Sequence, residues 1–223
     1  MKLRILPDEC ASSFDGPRDW DNAGLMVCWH GRYNLGDDHR YSCDDFNEEL
    51  ACDWDSELSE ELERLDYDVY NALLERAARN GVDSPWEQSK YARRLIDPKK
   101  RKLIDEVLDR GVVIELFFYD HSGCAMNTTG FGCRWDSDPV GYIVCDPETI
   151  EREFAGDFDR AEKAIQAEVK VYSQWLEGDV WGYVLEDDEG NEIDSCWGFY
   201  GSDPKENGIA DCVDLDVCEV VYE

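Results

Sequence analysis

The chain has 223 residues, 43% of them hydrophobic and 12% aromatic, and its 53 acidic and 22 basic residues give a formal net charge of −31. This apolar content is enough for a sizeable core, so the chain is expected to fold rather than stay disordered. Such a negative charge repels phosphate groups, which excludes ordinary binding to nucleic acid and to anionic membrane surfaces. A charged partner should therefore be basic.

Neither a membrane span nor an export signal is visible in the sequence. No run approaches about 18 apolar residues, and the N-terminal stretch MKLRILPDEC lacks the apolar segment of a signal peptide. A cytoplasmic location is therefore expected. The ten cysteines are irregularly spaced and include no Cys-x-x-Cys pair, which favours reduced, half-buried thiols over a disulfide framework.

The first predicted elements are a short strand over residues 25–29 and a strongly acidic helical segment over residues 37–68. That segment holds fourteen acids and only two bases. Its apolar residues recur at spacings of three and four, which indicates one buried helical face. They are Phe46, Leu50, Trp54, Leu58, Leu62 and Leu65. A break is expected near Ser56, which would cap a second helix.

From residue 69 to residue 111 the charge balance reverses to ten bases and seven acids. Two helices are predicted there, over 68–79 and over 98–110, with Pro98 starting the second. The PKKRK run at 98–102 fits a nuclear localisation or phosphate-binding patch. Basic side chains that face solvent or pair with neighbouring acids are the simpler interpretation.

The strongest strand signal lies at residues 112–119, which are mostly β-branched or aromatic. A polar, glycine-rich stretch over 120–139 is predicted to be a long loop, and a second strand follows over 140–144. The C-terminal part predicts further elements. They are helices over 147–154 and 159–176, a hairpin of strands over 180–185 and 193–200, and a last strand over 217–222.

Together these elements predict an α+β fold in which an antiparallel sheet packs against helices. No internal repeat or low-complexity linker is visible, so residues 1–223 are expected to form a single domain. The charged helical segment, roughly residues 37–111, is expected to be an insertion in that domain.

The loop over 120–139 carries the residues with the clearest catalytic potential. A hydrolase or metal-dependent enzyme centred on Asp120, His121 and Cys124, with Asp136, is the enzymatic alternative for this chain. Adjacent residues of an extended strand point to opposite faces, so Asp120 and His121 would act together only if the chain turns between them. We therefore expect no catalytic residue here.

A metal site at His121, Cys124, Cys133 and Cys145 is conceivable, but its spacing matches none of the usual zinc patterns. The sequence also contains no P-loop, no Gly-x-Gly-x-x-Gly after a strand and no His-Glu-x-x-His. Neither a metal nor a cofactor is expected.

Clustered carboxylates indicate a binding function instead. Acids four residues apart on a helix lie roughly 6 Å apart along its axis, whereas duplex DNA carries about one charge per 1.7 Å. One stripe is therefore too sparse to imitate DNA, but two or three stripes together approach that density. The expected partner-binding residues are Asp45, Glu49, Asp53, Glu57, Glu60 and Glu61 on the helical face, with Glu186, Asp187, Asp188 and Glu189 at the hairpin turn.

Salt adaptation and an unrelated binding role are the other interpretations of this acidity. A salt-adapted protein spreads its acids over the surface, whereas here they are concentrated in some segments. Residues 177–223 hold fifteen acids and one base, for example, while residues 69–111 carry more bases than acids. The clustering favours a dedicated surface that occupies the basic groove of a nucleic-acid-binding protein.

Four stretches, YDHSG (119–123), FGCRWDSDPVGYI (131–143), DSCWGFYG (194–201) and DNAGLMVCWHGRYNLGD (21–37), resemble proteins that phages and other mobile elements carry. The resemblance spans most of the chain apart from the helical segment around 45–109, and it assigns no catalytic residue. It implies a mobile-element context in which acidic, DNA-mimicking inhibitors of restriction and CRISPR systems are common. The expected partner is thus a nuclease or CRISPR effector of the host cell.

Overall fold

A computed structural model describes residues 1–11, 16–121, 123–132 and 138–223. The fold is α+β, as predicted. Its strands are β1 (Lys2–Pro7), β2 (Leu25–Cys28), β3 (Val112–Asp120), β4 (Cys124–Asn127), β5 (Asp138–Cys145), β6 (Val180–Glu186), β7 (Glu192–Tyr200) and β8 (Glu219–Tyr222). Its helices are α1 (Phe46–Trp54), α2 (Ser56–Arg64), α3 (Tyr70–Arg79), α4 (Pro85–Leu108), α5 (Pro147–Phe154), α6 (Phe158–Glu177) and α7 (Ile209–Cys212), with a π-helical turn at Leu65–Val69.

The strands form two four-stranded sheets within the described ranges. The first has the order β7-β6-β1-β8, in which β1 runs antiparallel to β6 and parallel to β8. The second has the order β2-β5-β3-β4. None of the described helices combines the length and the apolar character needed to span a membrane.

The residues cluster into two compact units. The first unit consists of Met1–Asp37, Ile114–Ile143 and Lys163–Glu223, and the second of Asp38–Val113 and Val144–Glu162. The charged segment that the sequence sets apart at 37–111 thus falls almost entirely within the second unit.

In the second unit, the predicted apolar face of α1 and α2 is buried. Leu50 is 1% and Leu62 3% exposed, and they anchor the two helices to the interior. The predicted break between the helices is present, but Asp55 rather than Ser56 caps α2. The backbone of Asp55 is extended, and its side chain accepts a hydrogen bond of 3.1 Å from the backbone N–H of Glu57.

The helix predicted over 98–110 is longer than expected, because α4 begins at Pro85 and contains Pro98 in its interior. A proline inside a helix costs one backbone hydrogen bond and strains the preceding turn. Here Ala92 and Ile96, before the proline, are buried together with Val107 beyond it. We infer that this shared packing outweighs the local cost. The sequence prediction that a helix starts at Pro98 does not take account of packing on both sides of the proline, because that packing involves other parts of the chain.

The PKKRK run lies inside α4, and one of its lysines pairs with neighbouring acids. Lys100 Nζ lies 2.7 Å from Asp66 Oδ2 and 3.3 Å from Glu48 Oε2. Partial burial works against its charge, yet these two carboxylates raise its pKa. The interpretation of intramolecular pairing is therefore correct for Lys100.

The prediction of a long loop over 120–139 is wrong for the first part of that range, because β4 pairs there with β3 in an antiparallel hairpin. Met126 is buried on this short strand, and its N–H donates to Ser173 Oγ at 2.9 Å. Strand β1 was also not predicted, although Leu3 and Ile5 alternate as buried residues along it. Strand β1 is stabilised by pairing with β6 and β8, which are distant in sequence, whereas β4 pairs with the strand just before it.

A buried ion network lies in the first unit. Only 8% of the Arg18 side chain is exposed, and its guanidinium lies 2.6 Å from Asp37 Oδ2 and 3.0 Å from Glu168 Oε2. Burial alone would lower the pKa of Arg18, but the hydrogen bonds and charges of the two carboxylates raise it. The carboxylates also accept backbone N–H groups, from Met26 at 2.7 Å and from Ala23 at 2.8 Å.

Replacing Arg18 by Met should destabilise the first unit strongly. The substitution leaves Asp37 and Glu168 buried without a counter-ion, which typically costs about 3–5 kcal/mol. Urea unfolding followed by circular dichroism measures the loss. The matched control is Arg32→Met, because Arg32 also pairs with a carboxylate, that of Asp120, but is 73% exposed. Equal stability of the two variants would contradict the structural role of the network.

A second prediction concerns the cap of α5. The side chain of Asp146 accepts hydrogen bonds from the backbone N–H of Thr149 at 2.9 Å and from its hydroxyl at 2.8 Å. Partial burial opposes the charged form, but these hydrogen bonds outweigh it and lower the pKa of Asp146. Replacing Asp146 by Ala should therefore cost about 1 kcal/mol at neutral pH.

The lowered pKa also fixes the pH dependence of that cost. The contribution of Asp146 is present above the pKa of an unfolded aspartate, 3.8, and is lost as the pH falls through the lower, folded value. The difference in unfolding free energy between the wild type and Asp146→Ala should shrink over that acidic range. Glu151→Ala, which removes an exposed carboxylate from the same helix, is the control and should show little effect at any pH. A difference that does not change with pH would refute the assignment.

Candidate protein-interaction surface

The acids expected on the helical face lie on α1, on α2 and at the residue before α1. The break at Asp55 divides them into two sets, so they do not form one uninterrupted row. Burial of the leucine faces holds both helices in place and leaves the acids on their outer sides. Which of these acids are electrostatically available depends on the cations around them.

Three of the six acids are engaged by neighbours within the second unit. Asp53 lies 2.5 Å from an Arg40 nitrogen and accepts a hydrogen bond of 2.9 Å from the Tyr41 hydroxyl. Glu61 pairs with Arg64 at 2.5 Å, and this contact lowers its pKa. Glu49 accepts the backbone N–H of Ser42 at 2.7 Å. These acids stabilise local structure, and two of them are neutralised by arginine.

The other three, Asp45, Glu57 and Glu60, are exposed. Within the described ranges, no Lys, Arg or His nitrogen lies within 4.0 Å of their carboxylates. Glu63, which is not among the acids predicted from the sequence, shares their exposure and their lack of a cation. A spacing of four does not include Glu63, although residues three apart are also neighbours on a helix surface.

Glu57, Glu60 and Glu63 together form what we call the α2 carboxylate row. They stand three residues apart, which corresponds to a rise of about 4.5 Å between neighbours. The buried side chains of Leu58 and Leu62 on the opposite face fix the orientation of the helix. Glu57 also lies in the first turn, where the helix dipole favours a negative charge. The row is therefore an ordered line of uncompensated charge.

The acidic hairpin turn, between β6 and β7 in the first unit, is mostly occupied by its own structure. Glu186 pairs with Arg4 at 3.0 Å, and Asp188 lies 2.9 Å from the amino group of Met1. Asp187 closes the turn, because its carboxylate accepts hydrogen bonds from the Asn191 side chain and backbone, which lower its pKa. Among the described residues, neither Asp187 nor Glu189 has a cation within 4.0 Å, and Glu189 alone of the four has no hydrogen-bond donor on its carboxylate either.

Two residues of the enzymatic alternative, Asp120 and Cys124, are neighbours in the first unit. Asp120 and Cys124 face each other across the β3–β4 hairpin, and Asp120 accepts a hydrogen bond of 3.2 Å from the Tyr33 hydroxyl. Its other oxygen lies 3.2 Å from Arg32. His121 follows the strand, with its ring 6.5 Å from that of Tyr119. Asp120 is thus held by a phenol and a guanidinium.

Three residues of the alternative sites remain: Asp136, Cys133 and Cys145. Asp136 and Cys133 lie outside the described residues, and Cys145 is fully buried in β5. Across the ranges that the structure describes, no three His, Cys, Asp or Glu side chains are arranged to hold a metal ion.

Comparison with known proteins adds no further constraint, since no protein-family model, curated protein or solved structure matches the chain.

The pairing of Asp53 can be tested through Tyr41. Burial, followed by the hydrogen bond to Asp53, raises the pKa of Tyr41 to about 12. The variant Asp53→Asn should lower that pKa towards the ordinary tyrosine value, because it removes the negative charge beside the phenol. NMR titration of the tyrosine ring carbons measures the change. Glu60→Gln is the control, and an equal shift in both variants would argue against a specific contact.

Proposed function

We propose that the chain inhibits a nucleic-acid-binding complex of host defence. Its carboxylates would occupy the groove in which the complex normally binds the phosphates of nucleic acid. The observation that carries this proposal is the α2 carboxylate row. Its spacing of about 4.5 Å per charge compares with about 3.4 Å per charge along one strand of DNA. The row therefore offers a basic groove a charge density close to that of a single strand, on a helix that does not need to be ordered on binding.

The charge of the whole chain supports a basic protein partner. A net charge of −31 steers such a partner towards the surface and makes association fast and salt-sensitive. The same charge opposes direct contact with nucleic acid and with anionic lipid. Inhibition of this kind needs no catalytic residue, metal or cofactor, because the inhibitor only has to occupy the groove.

The resemblance to proteins of phages and mobile elements suggests the setting. Anti-restriction or anti-CRISPR activity in the cytoplasm of the host cell is the form of the proposal, with a nuclease or a CRISPR effector as the partner. The acidic hairpin turn contributes less to the proposed binding surface than the sequence implies, because three of its four acids already have partners within the chain.

A pull-down from host lysate at low and at high salt tests the proposal directly. A nuclease or another DNA-binding complex should be retained at low salt and released by added duplex DNA, since both compete for one groove. Retention that responds to neither salt nor DNA would mean that the partner binds through a different interface.

Reversing the charges of the α2 carboxylate row tests whether this row is the surface that binds the partner. The triple variant Glu57→Lys, Glu60→Lys and Glu63→Lys should lower the association rate by at least about tenfold and abolish inhibition, because it replaces attraction by repulsion. The matched control reverses three other exposed acids of the second unit. They are Asp97, Asp105 and Asp109 on and after α4.

The control triple changes the net charge by the same amount and should retain most of the inhibition. Circular dichroism checks that both triples are folded. Equal losses from the two would mean that overall charge, rather than the α2 carboxylate row, determines binding. Full inhibition by the first triple would refute the proposed surface.

A further inference from the structure

A cleft of about 550 Å³ lies in the first unit, apart from the α2 carboxylate row. Three parts of the chain line it: Trp20, the exposed side of α6 around Lys170 and Gln174, and the end of β7 with the turn that follows it up to Asn207. These parts lie far apart in sequence, so the cleft is a product of the fold.

The aromatic wall of the cleft is formed by Trp20 and Tyr200. Their ring centroids are 5.5 Å apart with an interplanar angle of 73°, an edge-to-face contact that fixes the indole. Nevertheless, 54% of Trp20 is exposed. A large aromatic side chain that is held in place and still open to solvent is a typical anchor for a ligand or partner.

The turn after β7 is held rigidly in the cleft wall. Gly201 has a φ of +90°, a backbone conformation that strains other residues, and a Cβ placed on it would also lie 2.5 Å from Nε2 at the end of the Gln174 side chain. Asn207 donates to the Gly201 carbonyl at 2.7 Å and accepts from the Ile209 N–H at 3.1 Å. The cleft is therefore formed before any ligand arrives.

Three carboxylates also line the cleft: Asp179, Asp203 and Glu206. Over the described parts of the chain, none of them has a Lys, Arg or His nitrogen within 4.0 Å. Asp179 accepts the Trp181 indole N–H at 2.6 Å, and Asp203 accepts the Lys205 backbone N–H at 2.9 Å, each through one of its two oxygens. The lining thus combines an open aromatic ring with three carboxylates and one ammonium group, that of Lys170, so its net charge is negative.

We propose that this cleft binds the guanidinium group of an arginine side chain in a partner protein. A guanidinium is planar and weakly hydrated, so it stacks on an indole while its several N–H groups reach more than one carboxylate. The compact ammonium of a lysine satisfies only part of this geometry. An anion would be repelled, and a neutral ligand would leave the carboxylates without a cation.

This inference stands apart from the proposed inhibition, because none of its residues belongs to the α2 carboxylate row. It assigns the first unit a recognition pocket of its own for a basic partner. Buried arginines are frequent energetic centres of protein interfaces, and this pocket has the shape and charge to receive one.

Titration of the full chain with N-acetyl-arginine amide, followed by NMR, tests the proposal. N-acetyl-citrulline amide is a neutral compound of nearly the same shape. N-acetyl-lysine amide carries the same charge as the arginine probe but lacks its planar guanidinium group. The arginine probe should bind at least about tenfold more tightly than the citrulline probe and also more tightly than the lysine probe. Equal affinity for arginine and citrulline would overturn the proposal.

Variants place the binding within the cleft. Trp20→Leu should weaken the arginine probe about tenfold, and so should Asp203→Asn combined with Glu206→Gln, which preserves the shape of the turn. Trp86→Leu, which removes another exposed tryptophan, and the Lys triple on α2 should leave the affinity unchanged. Loss of binding in these controls, or its retention in both cleft variants, would refute the site.

Free L-arginine distinguishes a protein side chain from a small metabolite. Its α-ammonium and α-carboxylate carry opposite charges that a residue within a protein lacks, and a cleft suited to the side chain alone gains nothing from them, so free arginine should bind no more tightly than the capped probe. Tighter binding of the free amino acid would overturn the assignment to a partner protein.

Discussion

The first unit depends on one interaction, the pairing of Arg18 with both Asp37 and Glu168. It joins two loop positions near β2 to the middle of α6, and the same carboxylates accept backbone N–H groups at the start of β2. A buried guanidinium with two carboxylates and several backbone donors is stable only when all members are present. The network therefore specifies the arrangement of these segments more than it adds net stability.

Pairing with cations also decides which acids are available for binding. The chain has 22 basic residues for its 53 acids, and the fold places several of these cations against particular carboxylates. Arg40 neutralises Asp53 and Arg64 neutralises Glu61, whereas no cation among the described residues lies within 4.0 Å of the α2 carboxylate row. The proposed interaction surface thus consists of acids that are not paired with these cations. In the cleft at Trp20, three carboxylates and one lysine lie beside an open aromatic ring, and the excess of negative charge offers a place for a partner's arginine.

Periodic apolar residues predicted much of the secondary structure. Helix α5 has the predicted bounds of 147–154, and the β6–β7 hairpin lies where its apolar strands and acidic turn indicate. The differences have separate causes. Helix α4 continues through Pro98 because packing against other helices outweighs the local signal, whereas β4 forms within an apparent loop by pairing with the strand just before it. The acids of α1 and α2 were likewise located by spacing, but spacing alone does not tell Asp53, which is paired, from Glu60, which is not.

The sequence by itself determined the large negative charge, its concentration in certain segments and the buried faces of α1, α2 and α6, because composition and periodicity are local properties of the chain. Only the tertiary structure decided which carboxylates are neutralised, which is why Glu63 joins the α2 carboxylate row and Glu61 does not. It also brought Trp20 against Tyr200, which is 180 positions further along the chain. Ion pairs and clefts are made by residues that meet only after folding, and no local pattern records which residues those are.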